Sequence, residues 1–120
     1  MPWRYCQQTG QLLLNGKIIG TGYSGKGVGK NNPNMEQAKN VGPIPRGKYT
    51  IGPAYTHPHK GPITMNLTPN GHPTYGRSDF LIHGDSRAHP GSASEGCIIL
   101  PRNIRNRIGT SGDTVLEVVR

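Results

Sequence analysis

Short apolar runs separated by glycine, proline and polar residues set the rhythm of this 120-residue chain. The opening stretch WRYCQQTGQLLLNGKIIGTGYSG reads as three strands joined by turns at Thr9-Gly10 and Asn15-Gly16. Asn-Gly between apolar runs is the strongest short hairpin signal, since a tight hairpin turn needs two residues that accept positive φ. KGVGKNNPNMEQAKN is polar and loop-like, with a turn of helix over NMEQAK for which Asn34 is the candidate cap. Gly42-Pro43, Pro45 and Gly47 lock a turn, and Lys48 to Ile51 follows as a strand. YTHPHKGP and NGHPTYGRSD read as loops, while ITMNLTP alternates, with Ile63, Met65 and Leu67 on one face. FLIHG is a strand, CIIL a strand or the entry to a helix, and TVLEVV the closing strand. PRNIRNRIG is the best helix, opened by a proline and closed by a glycine. Seven or eight strands with one or two short helices predict a mainly β fold, a small sandwich or barrel. There is no repeat and no linker, so residues 1–120 form one expected domain.

Composition narrows this picture in three ways. Hydrophobic residues make up 32% of the chain, so the core is small. Gly and Pro number 18 and 11, but they punctuate apolar runs rather than forming tracts, which fits tight turns and not disorder. The net charge is +8, which favours an anionic partner such as nucleic acid, anionic lipid or a wall polymer rich in carboxylates. The basic residues are scattered without a run of five, which argues against a nucleic-acid tail. No apolar run approaches the ~20 residues of a membrane helix, so no membrane insertion is expected. MPWRYCQQTG lacks a basic-then-apolar leader, so no ordinary secretion signal is expected either. Cys6 and Cys97 are too few for a disulfide framework, and no CxxC pair suggests zinc.

The chemistry concentrates in FLIHGDSRAHPGSASEGCIIL. His83 closes one apolar run and Cys97 opens the next, with a small and polar loop between them. Cys97 follows Gly96, which has no side chain to cover the sulfur, and it stands at a strand edge beside a loop, where sites are assembled on rigid scaffolds. A nucleophilic thiol needs partial exposure and a base or cation nearby. If the two strands are neighbours, the imidazole meets the thiol, and a third group orients it: the Gly84 carbonyl, Ser94 or Asp85. The backbone amides of Gly96 and Cys97 are candidate oxyanion donors. The reading is a Cys-His acyl-transfer site.

The same residues resemble the active-site motif of the L,D-transpeptidases: a His-Gly, a loop of this length, then Gly-Cys and a hydrophobic residue, here IHG through SEGCIIL. VGPIPRGKYTIG looks like that family's turn into a strand, and LPRNIRNRI with GDTVLEVV looks like its short helix and closing strand. The whole chain is similar to the type VI secretion L,D-transpeptidase effectors. Glu95 stands where the wider family has a second His before Gly-Cys, and Ile99 where it often has Arg or Asn. The resemblance implies peptidoglycan tetrapeptide stems as substrate, with attack on the meso-diaminopimelate carbonyl at position three and departure of D-Ala. It implies hydrolysis (L,D-carboxypeptidase) or D-amino-acid exchange. It also implies a secretion-system delivery component, action in the periplasm of target bacteria after synthesis in the cytoplasm, and an immunity protein occluding the site. It calls for no cofactor.

Other residues carry weaker signals. Arg77 and Tyr23 are candidates to face substrate carboxylates, Arg through its bidentate fork. His89 is a candidate substrate contact or alternative base, and Asp85 either orients the imidazole or holds the loop as an Asx turn. Cys6 and Trp3 read as core. His57 and His59 form an H-x-H pair in a Pro-rich loop and read as exposed; with His83, Asp85 or His89 they define the runner-up, a metal hydrolase. A basic β module that binds nucleic acid is the non-enzyme alternative, for which 6% aromatic residues offer few stacking platforms.

Overall fold

Strand-period alternation builds nearly all of the architecture. The computed structural model describes residues 2–120. Among them run β1 (Trp3–Cys6), β2 (Gln11–Leu14), β3 (Lys17–Thr21), β4 (Tyr23–Ser24), β5 (Gly47–Ile51), β6 (Tyr55–His57), β7 (Gly61–Pro69), β8 (Leu81–His83), β9 (Ile98–Ile99) and β10 (Val115–Val119). One α-helix, α1 (Arg102–Thr110), and two single 3₁₀ turns, Gly27–Gly29 and Pro33–Met35, complete the elements. The expectation of a mainly β fold with a short helix is met.

The strands form one path, β3-β2-β1-β10-β5-β7-β8-β9-β4, with β6 added to β7. The two ends of this path, β3 and β4, are consecutive in sequence and separated only by Gly22, so the sheet curls into a nearly closed barrel. Gly22 lets the chain cross β9 closely: a Cβ there would lie 1.7 Å from the Ile99 carbonyl oxygen. Asn15 and Gly16 take φ of 54° and 77°, as the β2–β3 hairpin turn requires. β7 is the spine. Its end pairs with β5 through Ile51↔Leu67, its middle with β8 through Met65↔Ile82, and its start with β6 through His57↔Gly61.

Alternation decides what is buried. In β1, Trp3 and Tyr5 point inward while Arg4 faces out, and Leu116 and Val118 do the same on the parallel neighbour β10. With Leu12, Tyr49, Met65, Ile82 and Ile98 they make the core, which α1 closes through Ile104 and Ile108. A fully buried aliphatic or aromatic side chain is worth about 1.5–3 kcal/mol, so a core this small leaves much to the backbone ladders and buried polar clamps.

Four local readings change. NMEQAK forms no α-helical turn; a 3₁₀ turn begins at Pro33, and the capping side chain is Asn32, which accepts from the Asn34 amide. The helix closes at Ser111, not at Gly109, because Gly109 lies inside the last turn and lets the helix pack on Ala54 and Met65. YTHPHKGP is not all loop: its first three residues pair with β7 as an edge strand, and Pro58 falls just beyond the pairing. Cys6 is half-buried at the end of β1, not in the core.

Candidate active site

The site begins with a pairing that sequence spacing cannot specify. β8 and β9 lie side by side and parallel, with Ile82 opposite Ile98 and His83 opposite Ile99. Ile82 and Ile98 both point into the core. Strand alternation turns the residues on either side of them, His83 and Cys97, to the other face. Extended one residue back, the register sets Cys97 beside Leu81, whose backbone hydrogen-bonds the sulfur. Thiol and imidazole therefore share a face of adjacent strands on a diagonal, the separation at which larger side chains interact.

The two groups are held in different environments. The His83 side chain is sealed, at 1% exposure. Its Nδ1 is 2.8 Å from the Gly84 carbonyl oxygen, so Nδ1 carries the proton and donates, and Nε2 is left as the acceptor. That Nε2 is buried and has no hydrogen-bond partner among the described residues. Burial, aided by the charges of Lys60 and Arg105 and by His57, outweighs the Gly84 hydrogen bond and lowers the imidazole to about 4. Cys97 is half-buried, and its thiol donates to the Asp79 carbonyl at 3.7 Å. Burial raises its pKa above the ordinary thiol value, against the lowering effect of the Leu81 backbone and Lys60. At neutral pH the resting pair is a thiol and a neutral imidazole, not the thiolate–imidazolium pair that many cysteine nucleophiles present.

The backbone around the sulfur is fixed by a hydroxyl. Ser94, fully buried, accepts from the amides of Gly25 at 2.9 Å and Gly96 at 3.1 Å and donates to the Cys97 carbonyl at 2.7 Å. Ser94 thus shapes the approach to Cys97 and does not orient the imidazole, a part taken by the Gly84 carbonyl. Because the Gly96 amide is taken, Cys97 retains the remaining candidate oxyanion amide of the pair. Gly96 sits at φ 134°, a conformation reserved for glycine, and a Cβ there would lie 2.3 Å from Arg77 Nη2.

Two of the three candidates for substrate contact, Arg77 and Tyr23, turn out to be internal clamps. Arg77 is 6% exposed and donates to the carbonyls of Glu36, Gly42, Pro43 and Glu95, so its fork is occupied by backbone and not free for a carboxylate. Tyr23 is buried, donating to Asp85 Oδ1 at 2.6 Å and accepting from the Ala93 amide at 2.9 Å. Asp85 also accepts from the amides of Ser86 and Gly91, which makes it the loop-holding Asx residue and not the imidazole's orienter. His89 is exposed in the same loop, where its backbone, not its ring, makes the hydrogen bonds with Ser86 and Ser92. Ile99 is buried opposite Tyr23, and Glu95 is exposed beside Cys97.

Sequence reasoning missed Arg105. This helix residue is 7% exposed and donates to the carbonyls of Leu100 and Pro62, joining α1 to the entry of β7. Its Nη2 fills the space where a Cβ on Gly84 would fall, at 2.7 Å. Arg105 therefore backs the residue whose carbonyl orients His83. The signal in the sequence was a basic residue within the apolar stripe Ile104–Ile108, one turn short of Ile108.

A cleft of ≈ 440 Å³ opens over Cys97. Its walls come from Lys39 and Asn40, from His57 and Lys60 at the β6–β7 turn, from residues 77–81, and from Ala93 and residues 95–97. Cys97 lines it and His83 does not. Among the described residues no three His, Cys, Asp or Glu side chains gather to hold a metal ion.

No curated protein matches the chain. The Tlde1 domain family matches residues 19–114, which include β8, the polar loop, β9 and α1. Since that match spans most of the chain and all of the site, the protein belongs to the Tlde1 domain family, a family of type VI secretion effectors.

Proposed function

We propose that this effector is a cysteine acyl-transfer enzyme that acts on the tetrapeptide stems of peptidoglycan in the periplasm of target bacteria. The observation that carries the reading is the buried, unpartnered Nε2 of His83 on the same sheet face as Cys97, with the sulfur in the wall of a cleft. An imidazole whose Nδ1 proton is fixed by a carbonyl presents Nε2 as a base. The thiol–imidazole hydrogen bond is not formed in the resting state, where the thiol turns to Asp79. Such contacts tighten when substrate enters.

The steps follow from the neutral pair. His83 Nε2 takes the Cys97 proton as the sulfur attacks the carbonyl of meso-diaminopimelate. The S–C bond forms, and the oxyanion is held by the Cys97 amide and the cationic cleft. Collapse breaks the C–N bond, and the imidazolium returns its proton to the departing amine of D-Ala. The thioester then passes to water, giving a tripeptide, or to the amine of a free D-amino acid, giving an exchanged tetrapeptide; either way the thiol is regenerated. Both outcomes remove donors for cross-linking. An effector of this family is delivered by its secretion system and paired with a cognate immunity protein, and on this reading the immunity protein covers the cleft.

Purified muropeptides digested with the wild type and with Cys97→Ala test the proposal. Tetrapeptide should be lost and tripeptide gained with the wild type alone. Equal action by both proteins would overturn the cysteine mechanism.

A further inference from the structure

We propose that Lys60 forms a carboxylate subsite beside Cys97, so that the cleft accepts peptides ending in a free carboxylate next to the bond that is cut. The inference rests on the acyl-transfer reading for the word "cut", but the subsite itself rests on the shape and charge of the cleft.

Two lysines from separate loops, Lys39 and Lys60, enter the cleft that Cys97 lines. Among the described residues neither ammonium group has a hydrogen bond or an ion pair. The other cation in the wall, Arg77, is committed to backbone carbonyls. Lys60 is the better placed of the two. Its charge acts on both the thiol and the imidazole. Its position is also fixed: the amides of His59 and Lys60 both donate to His57 Nδ1, at 3.0 and 3.2 Å, which ties the β6–β7 turn and sets the Lys60 stem at the rim.

A free ammonium in the wall of the cleft that also holds the reacting sulfur attracts whatever anion flanks the attacked carbonyl. In a peptide cut one residue from its end, that anion is the terminal carboxylate of the leaving residue. The subsite would then read the end of the peptide, favouring removal of a terminal residue over cleavage within a longer chain. Asp79 and Glu95 also line the cleft, so a ligand that carries an ammonium as well as carboxylates fits it better than a simple polyanion.

The test compares a tetrapeptide stem with its C-terminal amide. The wild type should prefer the acid by about tenfold or more, as expected when a charge-assisted contact is lost. Lys60→Met should abolish that preference, mainly through KM, and Lys60→Arg should retain it. Binding of the same two peptides to Cys97→Ala, with and without Lys60→Met, measures the subsite without turnover. If the acid–amide preference survives Lys60→Met, or if Cys97→Ala binds neither peptide, the subsite is wrong. If binding shows the Lys60-dependent preference while the wild type cuts nothing, the subsite stands and the acyl-transfer reading falls.

Discussion

In the proposed mechanism two side chains on neighbouring strands carry the chemistry, and one carbonyl fixes the tautomer of the imidazole. By accepting from Nδ1, the Gly84 oxygen leaves His83 Nε2 as the lone-pair nitrogen, and burial keeps the ring neutral down to about pH 4. The thiol is held above its ordinary value by burial. A pair poised in this way needs the imidazole neutral and the thiol protonated in the free enzyme, so kcat/KM should rise through an acidic limb near pH 4 and hold into the alkaline range. Lys60, Arg105 and His57 are the charged or titratable groups that bear on the imidazole, and all three push the limb downward. The measurement is the pH dependence of kcat/KM on a tetrapeptide. A limb near the ordinary histidine value of about 6.5 would mean that the ring is hydrated during turnover and that the sealed geometry does not describe the working enzyme.

At the scale of elements, the site depends on α1 gripping the end of β8. The Arg105 guanidinium lies where Gly84 has no Cβ, while its other donors hold Leu100 and Pro62. Gly84→Ala would set a methyl group 2.7 Å from Nη2 at a position with no positive φ, so the guanidinium, not the backbone, would have to move. We expect a stability loss of about 1–3 kcal/mol from overpacking. We also expect kcat to fall by up to about a hundredfold, because an imidazole displaced by about 1 Å is badly aimed. Urea unfolding and steady-state kinetics on one preparation separate the two; an unchanged kcat beside a lowered midpoint would show that the clamp serves only the fold. This clamp also marks where the sequence stopped being legible. Hairpin turns, alternating strands and the Cys97–His83 loop could be read because they depend on local spacing and turn chemistry. The parallel partnership of β8 with β9 was only a condition of that reading. Arg77 and Tyr23 were misjudged because their types are usually exposed, and only long-range packing shows that the backbone of residues 36–43 and the carboxylate of Asp85 need them as donors. β4 and β6 were missed because strands of two or three residues carry too little pattern, and they exist by pairing with β9 and β7.

The whole molecule, a small barrel with net charge +8, holds among its buried ionisable groups an acid and a base that both tie its stability to pH. Glu36 is 3% exposed. Burial alone would raise its pKa, but hydrogen bonds from the Arg46 side chain and amide and from Gln7, together with the Arg46 charge, lower it from 4.5 to about 2. A depressed acid stabilises the fold fully above its unfolded pKa, and that contribution fades as pH falls from 4.5 towards 2. His83 is a depressed base and obeys the same sign: the unfolded chain binds a proton below about 6.5, the native ring resists it until about 4, and stability drains away between those values. The two windows adjoin, so acid should weaken the protein in two stages, while rising positive charge adds self-repulsion. At one pK unit per 1.36 kcal/mol, the first stage amounts to about 2 kcal/mol between pH 7.5 and 5. Urea denaturation at those two pH values measures it, and His83→Gln should remove most of the difference. Glu36→Gln should leave that stage intact and flatten the second, below pH 4.5. Since the Glu36 carbonyl also accepts from Arg77, and the Arg77 Nη2 occupies the space beside Gly96, loss of the second stage would loosen the wall of the cleft before the barrel core itself gives way. If His83→Gln loses as much stability between pH 7.5 and 5 as the wild type does, the buried imidazole is not the source of the first stage.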